Sequence, residues 1–452
     1  MIHALYFFAM RLRYVLCTAL CLGILFSCSL SGSDGGTSSA GADGSSSGSS
    51  PTGTNPTASS PGSIDTTFGT EGKVITSFGT GDDAINALAL QEDGKIIAVG
   101  YAAQNNKYVF ALARYNPDGS LDTSFGIDGK VTTSIGNIAD TASGVALQSD
   151  GKILVAGTTG GGTTASDFAL VRYTKDGSLD TTFGTEGIVT TQIGISANAY
   201  GICIQQNEKI ILIGYAYSGS PTFALARYDK NGTLDASFGT DGKVIIKIGD
   251  YSLANGVAIQ SDGKIVLAGM QKRNNYTDFT VVRYNSEGSL DNTFGNGGVV
   301  LTPISDCNDS AKCVTILPNG KILVGGCSYT GQSSSDFALV RYNQDGSLDH
   351  SFGQEGKVIT DISGMDEAHK IAIQSDGKII LVGFASGTAS ALARYNPDGT
   401  LDTTFGTGGK VTTYGEGSAN DVVITPDGSI VVGGYVTSYQ TQRDFALVRY
   451  KP

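Results

Sequence analysis

The residues best able to do chemistry in this sequence fall into two sets, one that recurs and one that does not. An arginine followed by tyrosine stands at Arg114, Arg172, Arg227, Arg283, Arg341, Arg394 and Arg449, and an aspartate after leucine or isoleucine at Asp65, Asp122, Asp180, Asp235, Asp291, Asp349 and Asp402. Seven carboxylates matched by seven guanidinium groups could be read as acid-base pairs. A residue needed once per copy is most simply a requirement of folding, and charge pairs commonly fix geometry. Each couple is therefore expected to form a structural ion pair or turn-capping network, with its two side chains close together.

The second set is polar but not uniform. A recurring Asp-Gly-Lys-type turn has its glycine at Gly94, Gly151, Gly263, Gly320, Gly377 and Gly428, with Asn207 and Glu208 in its place in the third copy. Eight residues before that point stand Asn86, Ser143, Tyr200, Asn255, Lys312, His369 and Asn420, and three residues earlier again Asp83, Asp140, Asp309 and Asp366. If these positions gather around an axis they form a polar funnel, a natural place for a ligand; a water-filled channel without one is the alternative. The acidic groups could hold a cation, but their ligand pattern is too irregular for a metal centre to be expected.

Other catalytic signals are thin. Beyond the leader only His350 and His369 remain, which excludes a multi-histidine metal centre. No glycine-rich phosphate loop opens a helix, and there is no nucleophile elbow. Asp366 and Glu367 beside His369 have the chemistry for proton transfer, although a solvated start of a strand explains them equally simply. The recurrent "NPDGSLD" resembles an acidic calcium loop but lacks the full alternation of oxygen ligands and the closing glutamate, so it reads as a turn. No cofactor is expected.

The elements that must position these residues are strands. The stretch "FALARYNPDGSLDTSFGIDGKV", Phe110 to Val131, recurs in close copies, with the phenylalanine of Phe-Gly at Phe68, Phe125, Phe183, Phe238, Phe294, Phe352 and Phe405. The period of about 55 residues suits a four-stranded propeller blade better than a solenoid turn. Within a copy, short runs such as "INALALQ", "KIIAVGYA", "YVFALARY" and "GKVTTSI" alternate apolar with small or polar residues and are bounded by turn residues. The turn "EDG" joins the first two, its glycine supplying the positive φ of a tight hairpin.

The phase of the ends separates an open array from a ring. "SIDTTFGTEGKVIT" (63–76) reads as a fourth strand without its first three, and "RDFALVRYKP" (443–452) as a third without its fourth. An open array would leave strand edges and apolar faces uncovered. The expected fold is all-β, a seven-bladed β-propeller of four-stranded antiparallel blades, the last closed by the N-terminal strand, and a monomer.

On the motifs "ALQ.DGKI", "DFAL.RYN" and "DGSLD.TFG.DGKV", the copies resemble the delta-60 repeat, a family of bacterial β-propeller repeats of uncharacterised function. The resemblance spans 63–452. It implies the propeller fold and says almost nothing about activity, because propellers host unrelated functions.

The chain begins with Arg11 and Arg13 before an apolar run from Tyr14 to Ser27, too short for a typical membrane span and suited to a signal segment over 1–27, with Met10 a possible start. "LFSC" resembles a lipobox, which implies cleavage before Cys28 and its acylation; an ordinary signal peptide with a chance cysteine is the alternative. From 28 to 62 the chain is Ser-, Gly- and Thr-rich, a composition that cannot bury a core. It reads as a flexible tether holding the propeller (63–452) to the bilayer of the cell envelope, with Ser29 after the cysteine favouring the outer membrane.

Charge and cysteine usage agree. The sequence carries 30 basic and 42 acidic residues, for a net charge of −12. Such a surface repels phosphate backbones, so nucleic acid is not an expected partner. Cys17 and Cys21 fall in the leader; of the rest, Cys203, Cys313 and Cys327 fall on expected strands, and Cys307 either pairs with Cys313 or stays free.

In a four-stranded meander the repeated turns share one face. The opposite face carries the variable loops "YAAQNNKY", "TTGGGTTASD", "YAYSGSPT", "MQKRNNYTD", "SYTGQSSSD" and "YVTSYQTQRD". Tyr, Ser, Gly and Asn give adaptable contacts. The functional expectation is a binding or adhesion scaffold for a protein or glycan; the alternative is a polysaccharide-acting hydrolase or lyase using carboxylates at the funnel.

Overall fold

The computed structural model describes residues 60–160, 165–329, 334–386, 389–414, 417–437 and 442–452. The expected leader 1–27, the Cys28 anchor and residues 28–59 of the tether lie outside the described residues.

Alternating patterns and turn residues produce strands throughout; among the described residues there is no α-helix. The strands form seven four-stranded antiparallel sheets. Blade 1 comprises Asp83–Leu90, Ile96–Gln104, Lys107–Tyr115 and Lys130–Thr133, hydrogen-bonded in that order. Blades 2 to 6 repeat this plan over 140–191, 196–246, 252–302, 309–360 and 366–414. In blade 7, Ser418–Ile424, Ile430–Thr437 and Arg443–Tyr450 take their outer strand from Lys73–Thr76, with Lys73 opposite Val448 and Thr76 opposite Phe445. The protein is a seven-bladed β-propeller. The first strand of every blade packs against the first strand of the next, including blade 7 against blade 1, so the ring is closed.

The core lies between blades rather than within them. One apolar cluster joins Val431, Phe445 and Leu447 of blade 7 to Ile85, Ile96 and Val109 of blade 1, and an equivalent cluster fills each of the other six junctions. A sheet buried on both faces explains why second strands such as Ile96–Gln104 read as nearly continuous apolar runs.

Two polar devices fasten neighbouring blades. The tyrosine after each recurrent arginine is buried, and its hydroxyl meets a threonine on the outer strand of the preceding blade: Tyr115 with Thr76 at 2.9 Å, Tyr173 with Thr133 at 2.7 Å, Tyr228 with Thr191 at 2.7 Å. Tyr342, Tyr395 and Tyr450 do the same with Thr302, Thr360 and Thr413. The seventh, Tyr284, faces a strand with Ile246 in the threonine position, and its buried hydroxyl has no hydrogen-bond partner.

The second device is the Arg–Asp couple, whose two side chains lie together in every copy. Nε to Oδ2 distances are 2.7 Å for Arg114–Asp122, 2.8 Å for Arg172–Asp180, 2.8 Å for Arg227–Asp235 and 2.7 Å for Arg283–Asp291. They are 2.6 Å for Arg341–Asp349, 2.8 Å for Arg394–Asp402 and 2.8 Å for Arg449–Asp65. Each guanidinium also sits over the Phe-Gly phenylalanine, 4.4 to 4.8 Å from the ring centroid. Arg114, Arg172, Arg227, Arg283 and Arg341 donate to a backbone carbonyl of the following blade, on Lys175, Lys230, Ser286, Gln344 and Pro397. An ion pair, a cation–π contact and an interblade hydrogen bond thus converge on one side chain.

The propeller starts slightly before the expected boundary. Gly62 donates to the Lys451 carbonyl at 2.9 Å, and Gly406 donates to the Pro61 carbonyl at 2.9 Å. In blade 1 the corresponding acceptor for Gly69 is Asp118, in the turn "NPDGS". "SPGSIDTTFG" is a shortened copy of that turn, so residues 60–62, expected in the tether, are fixed in the ring.

Candidate functional site

The axial site is built on a recurrent irregularity. In each blade the pairing of the first and second strands skips one residue, and the skipped residues are Asn86, Ser143, Tyr200, Asn255, Lys312, His369 and Asn420. The polar position of every inner strand is therefore a β-bulge, which frees the side chain from the ladder and turns the strand toward its neighbour. The bulge also crowds the second strand. A Cβ on Gly100, Gly214 or Gly269 would lie 1.9 Å from the carbonyl oxygen of Ala84, Asn198 or Leu253. Glycine at that position keeps the two backbones together.

Four of the seven bulge side chains bind the next blade. The Nδ2 groups of Asn86, Asn255 and Asn420 donate to the carbonyls of Ala142, Ala311 and Ile85, each at 2.7 Å. His369 Nδ1 lies 2.9 Å from the Ala419 carbonyl. A carbonyl can only accept, so Nδ1 carries the hydrogen and Nε2 is the acceptor nitrogen of the neutral ring. Burial lowers the pKa of His369, with Lys312 acting in the same direction against Glu367, which keeps that neutral form at physiological pH.

The remaining bulge residues differ. Tyr200 is 38% exposed, with its ring 5.6 Å from that of Tyr215, whose hydroxyl accepts from Asn198 Nδ2 at 2.9 Å. Lys312 forms an ion pair with Glu367. Burial opposes ionisation of Glu367, but Lys312 and His369 together hold its carboxyl below the ordinary glutamate range. Ser143 is half-buried. The Lys312–Glu367 ion pair and the neutral His369 ring thus make one asymmetric polar cluster on the inner strands of blades 5 and 6.

Asp83, Asp140, Asp309 and Asp366 do not line the funnel; each is 0% exposed. Their carboxylates turn into the loop that enters each inner strand. Asp140 accepts from the backbone of Ile135 (2.8 Å) and Gly136 (2.9 Å) and from the Thr159 hydroxyl (2.6 Å). Asp309 accepts from Ile304 (2.7 Å), Ser305 and Ser328 in the same way, and Asp366 from Ile362 (2.6 Å) and Ser363. Asp83 accepts from Phe78 N–H at 2.6 Å, while its other oxygen has no hydrogen-bond partner. The physical reason is local: a short aspartate at the first residue of a strand satisfies the loop N–H groups before it more readily than it reaches the axis. Asp366 is also joined by Asp336 and Asp361, carboxylate oxygens lying within 4.8 Å of one another. Burial, together with these two acids, raises its pKa.

Sequence reasoning missed Lys370 and Asp421, which follow the bulge in blades 6 and 7. Asp421 accepts from Leu88 N–H at 2.9 Å and lies 3.6 Å from Lys370 Nζ. The signal that could have found them is charge at a position where the other copies have small uncharged residues (Ala87, Gly144, Gly201, Gly256, Cys313).

Outside the axis, Cys203, Cys307, Cys313 and Cys327 are all free thiols, so Cys307 and Cys313 are not joined. Burial pushes the Cys203 and Cys313 thiols up to about 12, which makes them inert. His350 is exposed and pairs with Glu355 at 2.6 Å, remote in sequence from the axial cluster.

The closed ring and its repeated clamps define a repeat-built β-propeller. The family described as a domain of unknown function (DUF5122) beta-propeller matches residues 91–125, 148–183, 205–238, 260–294, 317–352, 374–405 and 425–452, and the chain belongs to it. No curated protein matches by sequence. Among solved structures, a protein of unknown function from Dyadobacter fermentans is similar at 11% identity and TM-score 0.45, covering 84% of this chain and 97% of that one. The polysaccharide lyase Uly1 is similar at 10% identity and TM-score 0.46, over 81% of this chain and 89% of that one. Sqt1 of Chaetomium thermophilum, bound to the N-terminus of ribosomal protein L10, is similar at 10% identity and TM-score 0.44, over 82% and 97%. Likeness at this level carries no argument about activity or ligand.

Proposed function

We propose that this chain is a lipid-anchored protein of the bacterial cell envelope, of the delta-60 repeat type, whose propeller is a non-catalytic binding scaffold for a protein or glycan. In this reading Cys28 is acylated and holds the protein to the outer membrane, residues up to 59 are the tether, and the ring acts as a monomer with its variable face outward. The observation that carries it is the division of labour among charged groups: all seven repeated Arg–Asp pairs are engaged within the scaffold. The unrepeated polar groups Lys312, Glu367 and His369 meet on the inner strands of blades 5 and 6, and Tyr200 stands partly exposed on that of blade 3, positions suited to contacts specific to one ligand. The acidic composition disfavours nucleic acid.

The same axial cluster supports a second reading, a polysaccharide-acting enzyme in which Glu367 and His369 move protons. One experiment separates the two. The full chain in detergent is screened against arrays of envelope proteins and polysaccharides, and bound polysaccharides are assayed for chain cleavage. The scaffold reading expects a ligand that is retained intact and weakened in Lys312→Ala or Tyr200→Ala. Cleavage abolished by Glu367→Gln replaces it with the enzymatic reading, and absence of any ligand removes the scaffold reading. Anchoring is tested separately by palmitate labelling, which Cys28→Ser should abolish.

A further inference from the structure

Away from the axis, a cleft of about 360 Å3 opens on the variable face between blades 4 and 5. One wall is the hairpin joining Ile265–Arg273 to Tyr276–Tyr284; the other is the loop entering Asp309–Ile316. Both walls are fixed. Asn274 adopts φ 55° in the hairpin turn, a conformation asparagine tolerates. Asn308 Oδ1 accepts from Thr277 N–H across the cleft base at 3.0 Å, and Asp309 gathers the N–H and hydroxyl groups of the facing loop. The site is preformed and needs no ordering on binding.

Its chemistry is specific. Arg273 Nε lies 2.8 Å from Asp278 Oδ2; the arginine side chain is 56% exposed and the aspartate side chain 5%. The buried carboxylate holds one side of the guanidinium, and the arginine side chain stays more than half exposed at the cleft. Tyr276 is 46% exposed, and Asn275 adds an amide beside it. At the place of Asp278 the other blades have Val109, Asp167, Thr222, Asp336, Ala389 and Asp444, and none combines a carboxylate there with an arginine and a tyrosine placed as Arg273 and Tyr276 are.

We propose that this cleft binds a neutral saccharide unit, the Tyr276 ring packing on the sugar's C–H face while Arg273 and Asn275 hydrogen-bond its hydroxyls. This rests on the scaffold reading and gives it a ligand class and a second site. Charge selects the class. Asp278 balances Arg273, Asp306 is exposed at the rim, and the whole sequence is at −12, so an anionic sugar meets repulsion. An apolar ligand finds Tyr276, Pro303 and Cys307 but would bury the charged and amide groups of Arg273, Asn274, Asn275 and Asp306 against it. A polyhydroxy ligand with one apolar face fits both facts.

The test titrates the full chain with cellobiose, lactose, N,N′-diacetylchitobiose and trigalacturonate by calorimetry, beside Tyr276→Ala, Asn275→Ala and the axial variant Lys312→Ala. Both cleft residues are exposed, so their variants should melt like the parent. The expected result is that at least one neutral disaccharide binds, at least tenfold more weakly to Tyr276→Ala than to the parent. Binding of trigalacturonate alone overturns the ligand class. A neutral sugar bound equally by Tyr276→Ala but lost in Lys312→Ala overturns the cleft and leaves the scaffold reading standing. No sugar bound by any form overturns the cleft, and only if the protein array is also blank does the scaffold reading fall with it.

Discussion

Arg449 Nε lies 2.8 Å from Asp65 Oδ2, reproducing between opposite ends of the propeller the pair that Arg114 and Asp122 make within one continuous stretch. Arg449 also donates to the Pro117 carbonyl and the Thr67 hydroxyl, both at 2.8 Å, and covers Phe68. Closure therefore uses the same side-chain contacts as blades 1 to 5. Removing one partner of a largely buried pair leaves the other charge uncompensated, at a cost of about 3 kcal/mol. Asp65→Ala should lower the melting temperature and speed hydrogen exchange at 73–76 and 443–450. Asp180→Ala, inside a continuous blade, should destabilise to a similar degree without that local effect. Unchanged exchange at 73–76 in Asp65→Ala would show that the ring closes without this pair.

The interblade tyrosines predict opposite signs for one substitution. Tyr228 Oη is hydrogen-bonded to Thr191 at 2.7 Å, whereas the buried Tyr284 hydroxyl has no hydrogen-bond partner because Ile246 occupies the threonine position. Tyr228→Phe should cost about 1 kcal/mol, and Tyr284→Phe should stabilise by about 1 kcal/mol through removal of an unsatisfied hydroxyl. Urea unfolding of the two variants measures both; equal destabilisation would refute the contrast.

Asp83 makes stability depend on pH. Burial raises its pKa to about 6; Asp444 and Asp82 add to the shift, and the Phe78 N–H partly offsets it. In the unfolded chain the same group titrates near ~3.9. Between these values the folded state holds a proton that the unfolded state has released, so this group's contribution falls as pH rises from about 4 to 6 and stays low above. The difference amounts to roughly 2–3 kcal/mol. Asp83→Asn keeps an oxygen for Phe78 and removes the titration, so it should stabilise more at pH 7 than at pH 5. An equal effect at both pH values would be the contrary result. The clamp aspartates act oppositely. Burial opposes ionisation of Asp122, but hydrogen bonds from Ser124 and Lys95 and the Arg114 charge hold its pKa well below the ordinary range. Its stabilisation is present above pH ~4 and is lost as pH falls toward its folded value.

Much of the fold was legible because its causes are local and repeated. Alternation marked the strands, Gly94-type turns marked the first hairpins, and the matched counts of arginine, aspartate and phenylalanine fixed seven units. The same repetition pointed to Arg–Asp contact, since a couple kept in every copy has a common geometric reason. The axial position was also readable as a column, Asn86 to Asn420. That it is a bulge was not, because the break it makes in the alternation of so short a strand is hard to tell from an ordinary polar position; the glycine opposite, as at Gly100, records it more clearly.

The sequence by itself determined the number of blades, the strands in each and the pairing of the first with the last, since apolar periodicity and turn chemistry act over a few residues and recur. The direction of individual side chains was decided by tertiary structure. Asp83, Asp140, Asp309 and Asp366 turn into their loops because nearby N–H groups lie closer than the axis. Lys312 finds Glu367 only across a blade boundary, and the cleft of Arg273 and Tyr276 exists only where the packing of blade 4 against blade 5 sets two separate loops side by side.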